Sequence, residues 1–281
     1  VKRQNLCGEH AAQSANGARM TASERFDAMS AALATSVGER EGLIGLVLLG
    51  SASDEARGRR DEWSDHDFFT LIETGRGAEI RPDLSWLPDY DRLVLTAREG
   101  DIGFVALYDD AHIFEFALAD AEEVDGARAG DAAVVVDDKS GTTARLLARA
   151  RARASEEDRF DPANDVRLVL VKLLIGVGRV RRGEALNGNA FIRQWAVQLL
   201  VRAIRGRFAA ASTALRDTND PMRRFELDFP IWGARIAAAL DLPIEESALN
   251  LYQLARQILE PGWSEFPSRA ADVVALRLGW T

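Results

Sequence analysis

The chain has 281 residues, 47% hydrophobic and 28% charged, with one cysteine and a net charge of −9. That suits a folded protein of one large or two ordinary domains, and it excludes an internal disulfide. Residues 1–140 carry 28 acidic against 14 basic side chains and residues 141–281 carry 16 against 21, net −14 and +5, so the acidic front half argues against a nucleic-acid partner and favours metal ions or a cationic small molecule.

In chain order, residues 1–20 show neither helical nor strand periodicity and no apolar stretch of the kind a signal peptide carries. They are expected to be a disordered arm, and the protein is expected to be cytoplasmic. Thr-Ala-Ser-Glu at 21–24 reads as an N-cap before an amphipathic helix over 23–37. Strand-like runs follow at 43–49, 66–72, 92–97, 102–108, 112–118 and 132–136. Turn signals separate several of them, among them Glu99-Gly100-Asp101 and Asp109-Asp110. The runs 102–108 and 112–118 are close enough for an antiparallel hairpin.

After Ser140 the period becomes helical, with helices predicted over 143–152, 163–182, 189–207, 231–240, 247–259 and 268–278. The longest apolar run, 168–177, is broken by Lys172 and falls short of the roughly 20 residues that span a bilayer, so no membrane partner is expected. The fold class is therefore α+β: a domain over 21–140 with a mixed sheet and helices, then an all-α domain over 141–281.

Three features carry chemistry. Asp65 and Asp67 are i and i+2 in a strand, so both carboxylates share one face. They repel each other, and either solvent or a divalent cation must compensate. Gly50-Ser51 follows an apolar strand, where a turn exposes backbone amides suited to phosphate. A short helix is expected after Ser51, then an Arg/Gly-rich loop at 57–60 that either meets a ligand or is solvated. Glu115 lies mid-strand with Phe114 and Phe116 on the opposite face. It is a wet-side residue, or a partner of the aspartates if the two strands are neighbours. His10, His66 and His112 are scattered and offer no zinc spacing. Trp63 and Trp86 lie in loop-like stretches and read as base-stacking or packing residues.

The order hydrophobic-Gly-Ser, a 13-residue spacer, Asp-x-Asp and a later strand acid, with "DEWSDHDFF" at 61–69, resembles the DNA polymerase β-like nucleotidyltransferase superfamily. Within it the likeness is to the aminoglycoside and lincosamide nucleotidyltransferases. It is specific over 46–72, weaker around Glu115, and a matter of layout in the helical half. His66 departs from the apolar residue or Tyr usual between the two acids, but it points to the other face.

The resemblance implies a nucleotidyltransferase-type domain followed by a helical bundle, with Mg2+ as cofactor and ATP or another NTP as co-substrate. It implies Asp65 and Asp67 as metal ligands, Glu115 as general base or shared metal ligand, and Gly50, Ser51 and Lys172 as nucleotide-binding residues. The implied reaction moves AMP to a hydroxyl of a small-molecule acceptor, an aminoglycoside or lincosamide. The acidic front half suits a cationic acceptor better. Two other readings are an enzyme that AMPylates a protein, as in toxin–antitoxin pairs, and a nucleotide-binding module without catalysis.

Overall fold

The computed structural model describes residues 20–155, 160–210 and 220–280. The expected arm at 1–20 lies outside them except for Met20. The fold is α+β, in two compact units: one takes in residues up to Ala127 with Asp131–Ala148, the other Arg128–Gly130 with Arg149 onward.

The first unit opens with α1 (Ala22–Glu39). Thr21 caps it with the predicted geometry: its hydroxyl accepts from the Glu24 amide at 3.2 Å, and the Glu24 carboxylate accepts from the Thr21 amide at 2.7 Å. Next come β1 (Leu43–Leu49), β2 (His66–Ile72), the one-turn α2 (Gly77–Ile80), β3 (Leu93–Glu99), β4 (Gly103–Tyr108), β5 (Ile113–Ala119), β6 (Ala132–Val136) and α3 (Thr142–Ser155). The sheet order is β3-β4-β5-β2-β1-β6. The β4–β5 pair is antiparallel, as the hairpin reading expects, whereas β2 and β5 run parallel. The sheet is thus mixed.

Strand alternation sorts the two faces. On one, Leu46, Phe68, Phe104, Ala106, Phe114, Phe116 and Leu118 pack with Phe26, Leu33 and Val37 of α1 in a buried core. The other carries Asp67 and Glu115. It is covered at β1, where Thr143 of α3 sits so close under Gly45 that a Cβ there would lie 1.9 Å from its hydroxyl.

Two local expectations change. The segment after Ser51 forms two 3-10 turns, Gly50–Ala52 and Asp54–Arg59, in place of a short α-helix and a loop. Glu99, expected in a turn, closes β3; the reversal falls to Gly100 at φ +72°.

The second unit holds α4 (Pro162–Arg181), α5 (Ala185–Asn189), α6 (Val197–Arg207), α7 (Phe225–Asp228), α8 (Pro230–Leu240), α9 (Ile244–Leu259) and α10 (Ser268–Leu278) around an apolar core. Asp161 caps α4 through the Asn164 amide at 2.9 Å, and Gly183 at φ +84° follows its end. The helix predicted over 189–207 is not uniform: Ala190–Ala196 is wound as a π-helix between α5 and α6. Among the described residues no helix is long and apolar enough to cross a membrane.

Candidate active site

Asp67 stands opposite Glu115 in the parallel β2–β5 register, on the face away from the aromatic core. Asp65 precedes β2 with the same parity. The three side chains offer carboxylate oxygens that all lie within 4.8 Å of one another. Oxygens around an octahedral Mg2+ are separated by about 3.0 Å when adjacent and about 4.2 Å when opposite. The cluster is therefore near that size, and its all-oxygen donor set suits a hard cation. Partial burial, then the charges of Glu99 and Asp65, raise the proton affinity of Glu115 above that of an ordinary glutamate.

Beside the acids lies the Gly-Ser turn. Gly50 adopts φ +49°, a left-handed conformation that favours glycine, and a Cβ on it would stand 3.4 Å from Asp67 Oδ2. Its amide donates to the Asp131 carbonyl at 2.9 Å, so this expected phosphate donor already has a partner. The Ser51 hydroxyl donates to the Asp65 carbonyl at 3.3 Å. Ser51 thus fastens the turn to the segment that carries Asp65 and Asp67, and Gly50 fastens it to the residue that leads into β6.

The Arg-rich segment supplies the rest of the fastening. Arg60 donates from Nε to the Ser51 carbonyl at 2.6 Å and from Nη2 to the Ala52 carbonyl at 3.0 Å, and its Nη1 pairs with Asp27 of α1 at 2.6 Å. Its side chain is 7% exposed, so Arg60 is a structural clamp, not a solvated arginine. Arg57 also pairs with Asp27, and Arg59 with Asp131.

Behind the acids is a polar network hidden from sequence reading. His66 is buried on the core face and stacks on Phe26 at 3.7 Å between centroids. Its Nε2 meets Ser30 Oγ at 2.8 Å and its Nδ1 meets His112 Nε2 at 2.6 Å. Ser30 donates its one proton to the Phe26 carbonyl at 3.2 Å, which assigns Nε2–H of His66 as donor to Ser30 and Nε2–H of His112 as donor to His66. Burial, then His112 and Arg60, push the His66 pKa down to about 3, so the ring is neutral. The histidines that look scattered along the chain are neighbours in space, except His10, which lies outside the described residues.

Of the remaining candidates, Trp86 is buried against Phe116, which settles it as packing, and Trp63 is 86% exposed. Lys172 belongs to the helical unit, its ammonium 5.4 Å from the Phe191 centroid and 5.3 Å from that of Trp195, both on the π-helical turn. It makes no ion pair among the described residues. Sequence reasoning missed Arg60, Asp27, Ser30 and the pairing of His66 with His112. The Arg57–Arg60 cluster was a visible signal for the first of these; nothing local announces the others.

No protein-family model matches this chain, and no curated protein matches it. Among solved structures, the crystal structure of an aminoglycoside 6-adenyltransferase from Bacillus subtilis is similar over 94% of this chain and 93% of that one. The identity is 13% and the TM-score 0.28. At that TM-score the likeness carries no weight for function, and the site stands on the geometry of this chain.

Proposed function

We propose that the protein is a Mg2+-dependent nucleotidyltransferase that moves AMP from ATP to a hydroxyl of a small cationic acceptor. The observation that carries the reading is the convergence of Asp65, Asp67 and Glu115 within 4.8 Å, from two parallel strands in register beside a glycine turn. Such a cluster of like charges is stabilised by a cation, and the motif around it resembles that of nucleotidyltransferases.

Asp65 and Asp67 are assigned to hold the cation. When bound, Mg2+ supplies charge neutralisation for the triphosphate and the departing pyrophosphate. Glu115, exposed and of raised proton affinity, takes the acceptor's hydroxyl proton. The hydroxyl oxygen bonds to the α-phosphorus as the bond from that phosphorus to the bridging oxygen breaks. Pyrophosphate leaves, and Glu115 returns its proton to solvent. Gly50 leaves space for a phosphate to approach Asp67. Ser51 exchanges its long hydrogen bond to Asp65 for one to a phosphate oxygen.

The test is pyrophosphate release from Mg2+ and ATP, with a panel of aminoglycosides and lincosamides as acceptors. Release that needs both Mg2+ and an acceptor, with AMP recovered on that acceptor, is the expected result. No release with any acceptor, or AMP recovered on a protein instead, refutes the small-molecule reading.

A further inference from the structure

Asp65 and Asp67 are not held equally. Asp67 lies within β2 and is paired on both sides, with Leu49 of β1 and Glu115 of β5. Asp65 stands one residue before β2, and neither register reaches it. The Ser51 hydroxyl donates to its carbonyl at 3.3 Å, a long bond, and in the proposed reaction that hydroxyl passes to a phosphate. A small hard cation needs its ligand oxygens held to within about 0.5 Å. A residue outside both strand pairings meets that demand only if something beyond the ladder fixes it.

The residue that joins the two acids is His66, and its side chain is fully buried on the opposite face of the strand. The ring is fixed at three points. It stacks on Phe26 of α1, 14° from parallel. Its Nε2 lies 2.8 Å from Ser30 Oγ of the same helix, and its Nδ1 lies 2.6 Å from His112 Nε2. His112 stands one residue before β5, as Asp65 stands one residue before β2. The imidazole pair therefore ties the two parallel strands together at the end where their pairing begins, and Ser30 ties both to α1. The bonds run one way, from His112 to His66 to Ser30 to the Phe26 carbonyl, and they satisfy both ring nitrogens of His66. The stack sets the depth of the ring; the two directional bonds set its rotation and its place along the strand. An apolar side chain at 66 would fill the same space and join nothing.

We propose that His66 and His112 are positioning residues for the metal ligands: their hydrogen bond, anchored on Ser30, fixes the backbone at Asp65 so that its carboxylate meets those of Asp67 and Glu115. The inference rests on the reading of the three acids as a metal site, and it adds residues that touch neither metal nor substrate. The rings act through the backbone. Asp65 and His66 share a peptide bond, and His112 is three residues from Glu115 on the strand that faces Asp67. Their role requires no change of charge, only that the donor on His112 and the acceptor on Ser30 stay in place.

The experiment is Mn2+ binding to the full chain by electron paramagnetic resonance at about pH 8, where both imidazoles are neutral, with urea unfolding of the same variants in metal-free buffer. His112→Leu removes the donor and leaves the buried Nδ1 of His66 without a partner; it is expected to weaken Mn2+ binding by about tenfold. His112→Gln keeps an N–H donor and is expected to restore the affinity to within about threefold of the wild type. Phe116→Ala is the control for stability alone, because its ring packs on Phe68, Trp86 and Phe104 and on neither histidine. It is expected to lose stability and keep its Mn2+ affinity. The proposal is overturned if His112→Leu binds Mn2+ as tightly as the wild type, or if His112→Gln binds as weakly as His112→Leu. It is overturned too if Phe116→Ala loses as much affinity as His112→Leu, since the pair then serves only the general stability of the fold. In each of these cases Mn2+ binding by the wild type leaves the metal reading of the acids standing, and the nucleotidyltransferase reading with it. No Mn2+ binding by the wild type removes both. Should His112→Leu fail to fold, Ser30→Ala, which takes away the acceptor of His66 Nε2, is expected to show the same tenfold loss and decides in its place.

Discussion

The two faces of β5 differ as much as any two regions of this molecule. Phe114, Phe116 and Leu118 are 0–4% exposed and lock into the core; Ile113 and Glu115, interleaved with them, are exposed. One seven-residue segment therefore serves stability with its even positions and chemistry with its odd ones. Strand periodicity makes that division strict, because a slip of one residue would bury Glu115 and expose the phenylalanines. The aromatic face thus fixes the register that sets Asp67 opposite Glu115. Stability and site geometry are coupled through the backbone, although the side chains that carry them never share a face.

That contrast predicts opposite profiles for substitutions on the two faces. Asp67→Asn should lower the rate of pyrophosphate release on the order of 10⁴-fold. Thermal unfolding should show no loss of stability in metal-free buffer, since like-charge repulsion is relieved. A Tm that falls together with the rate would show that Asp67 is structural. Phe116→Ala reverses the profile. Phe116 stacks on Phe68 at 4.8 Å and on Phe104 at 5.5 Å between centroids, within the core. Its truncation should cost about 3–5 kcal/mol in urea unfolding. At temperatures where the variant remains folded, activity should be retained to within a few-fold. A loss of activity as deep as that of Asp67→Asn would refute the separation of the faces.

How far the sequence alone discloses this arrangement depends on the range of the interaction. The period-2 runs, the Thr21 cap and the Asp161 cap are local, and each shows in the chain. The face shared by Asp65 and Asp67 is local too. The neighbourhood of Glu115 needed one further fact, the parallel pairing of β2 with β5, which no local pattern supplies. Arg60, Asp27 and the His66–His112 contact are long-range side-chain matches between segments more than 30 residues apart. The π-helical winding at Ala190–Ala196 was equally hidden. There Gly176 lets α4 pass so near that a Cβ would lie 2.6 Å from Ile192. That is a packing constraint, not a propensity.

Arg60 links the two faces, since it ties the glycine turn on the acid side to α1 on the core side. Arg60→Met keeps the contact of its stem with the Phe26 ring, which the guanidinium now overlies at 4.5 Å. It removes the donors to the Ser51 and Ala52 carbonyls and leaves Asp27 with Arg57 as partner. Losing these charge-assisted bonds should cost about 1.5–3 kcal/mol. Because the turn carries Gly50 beside Asp67, Mn2+ affinity measured by electron paramagnetic resonance should also fall several-fold. Unchanged metal affinity with lowered stability would confine Arg60 to a role in folding.

The smallest effect expected is a slope, and it belongs to the core side directly behind the acids. His66 has its pKa depressed to about 3 in the folded protein, against an ordinary value of 6.5, with burial as the largest cause. Between those values the unfolded chain binds a proton that the folded chain refuses, so stability is full above about pH 6.5 and falls as pH drops toward 3. One such group contributes at most about 1.4 kcal/mol per pH unit. His112, also depressed by burial, acts in the same direction, and the touching pair titrates as a unit. Several carboxylates hold their protons less tightly than usual, among them Asp138 with a pKa of about 2, and they add their own acid loss only below about pH 4.5. Glu115 and Asp165, whose proton affinities burial raises, oppose the decline, so the histidine contribution is read between pH 4.5 and 6.5 as the difference between the wild type and a histidine variant. In metal-free buffer the urea midpoint of the wild type should decline across that interval. His66→Phe, which retains an aromatic ring to stack on Phe26, should flatten the decline. Equal slopes in the two proteins would mean that the buried imidazole takes up a proton without opening the fold, and that the network of Ser30, His66 and His112 is not the neutral chain its hydrogen bonds describe.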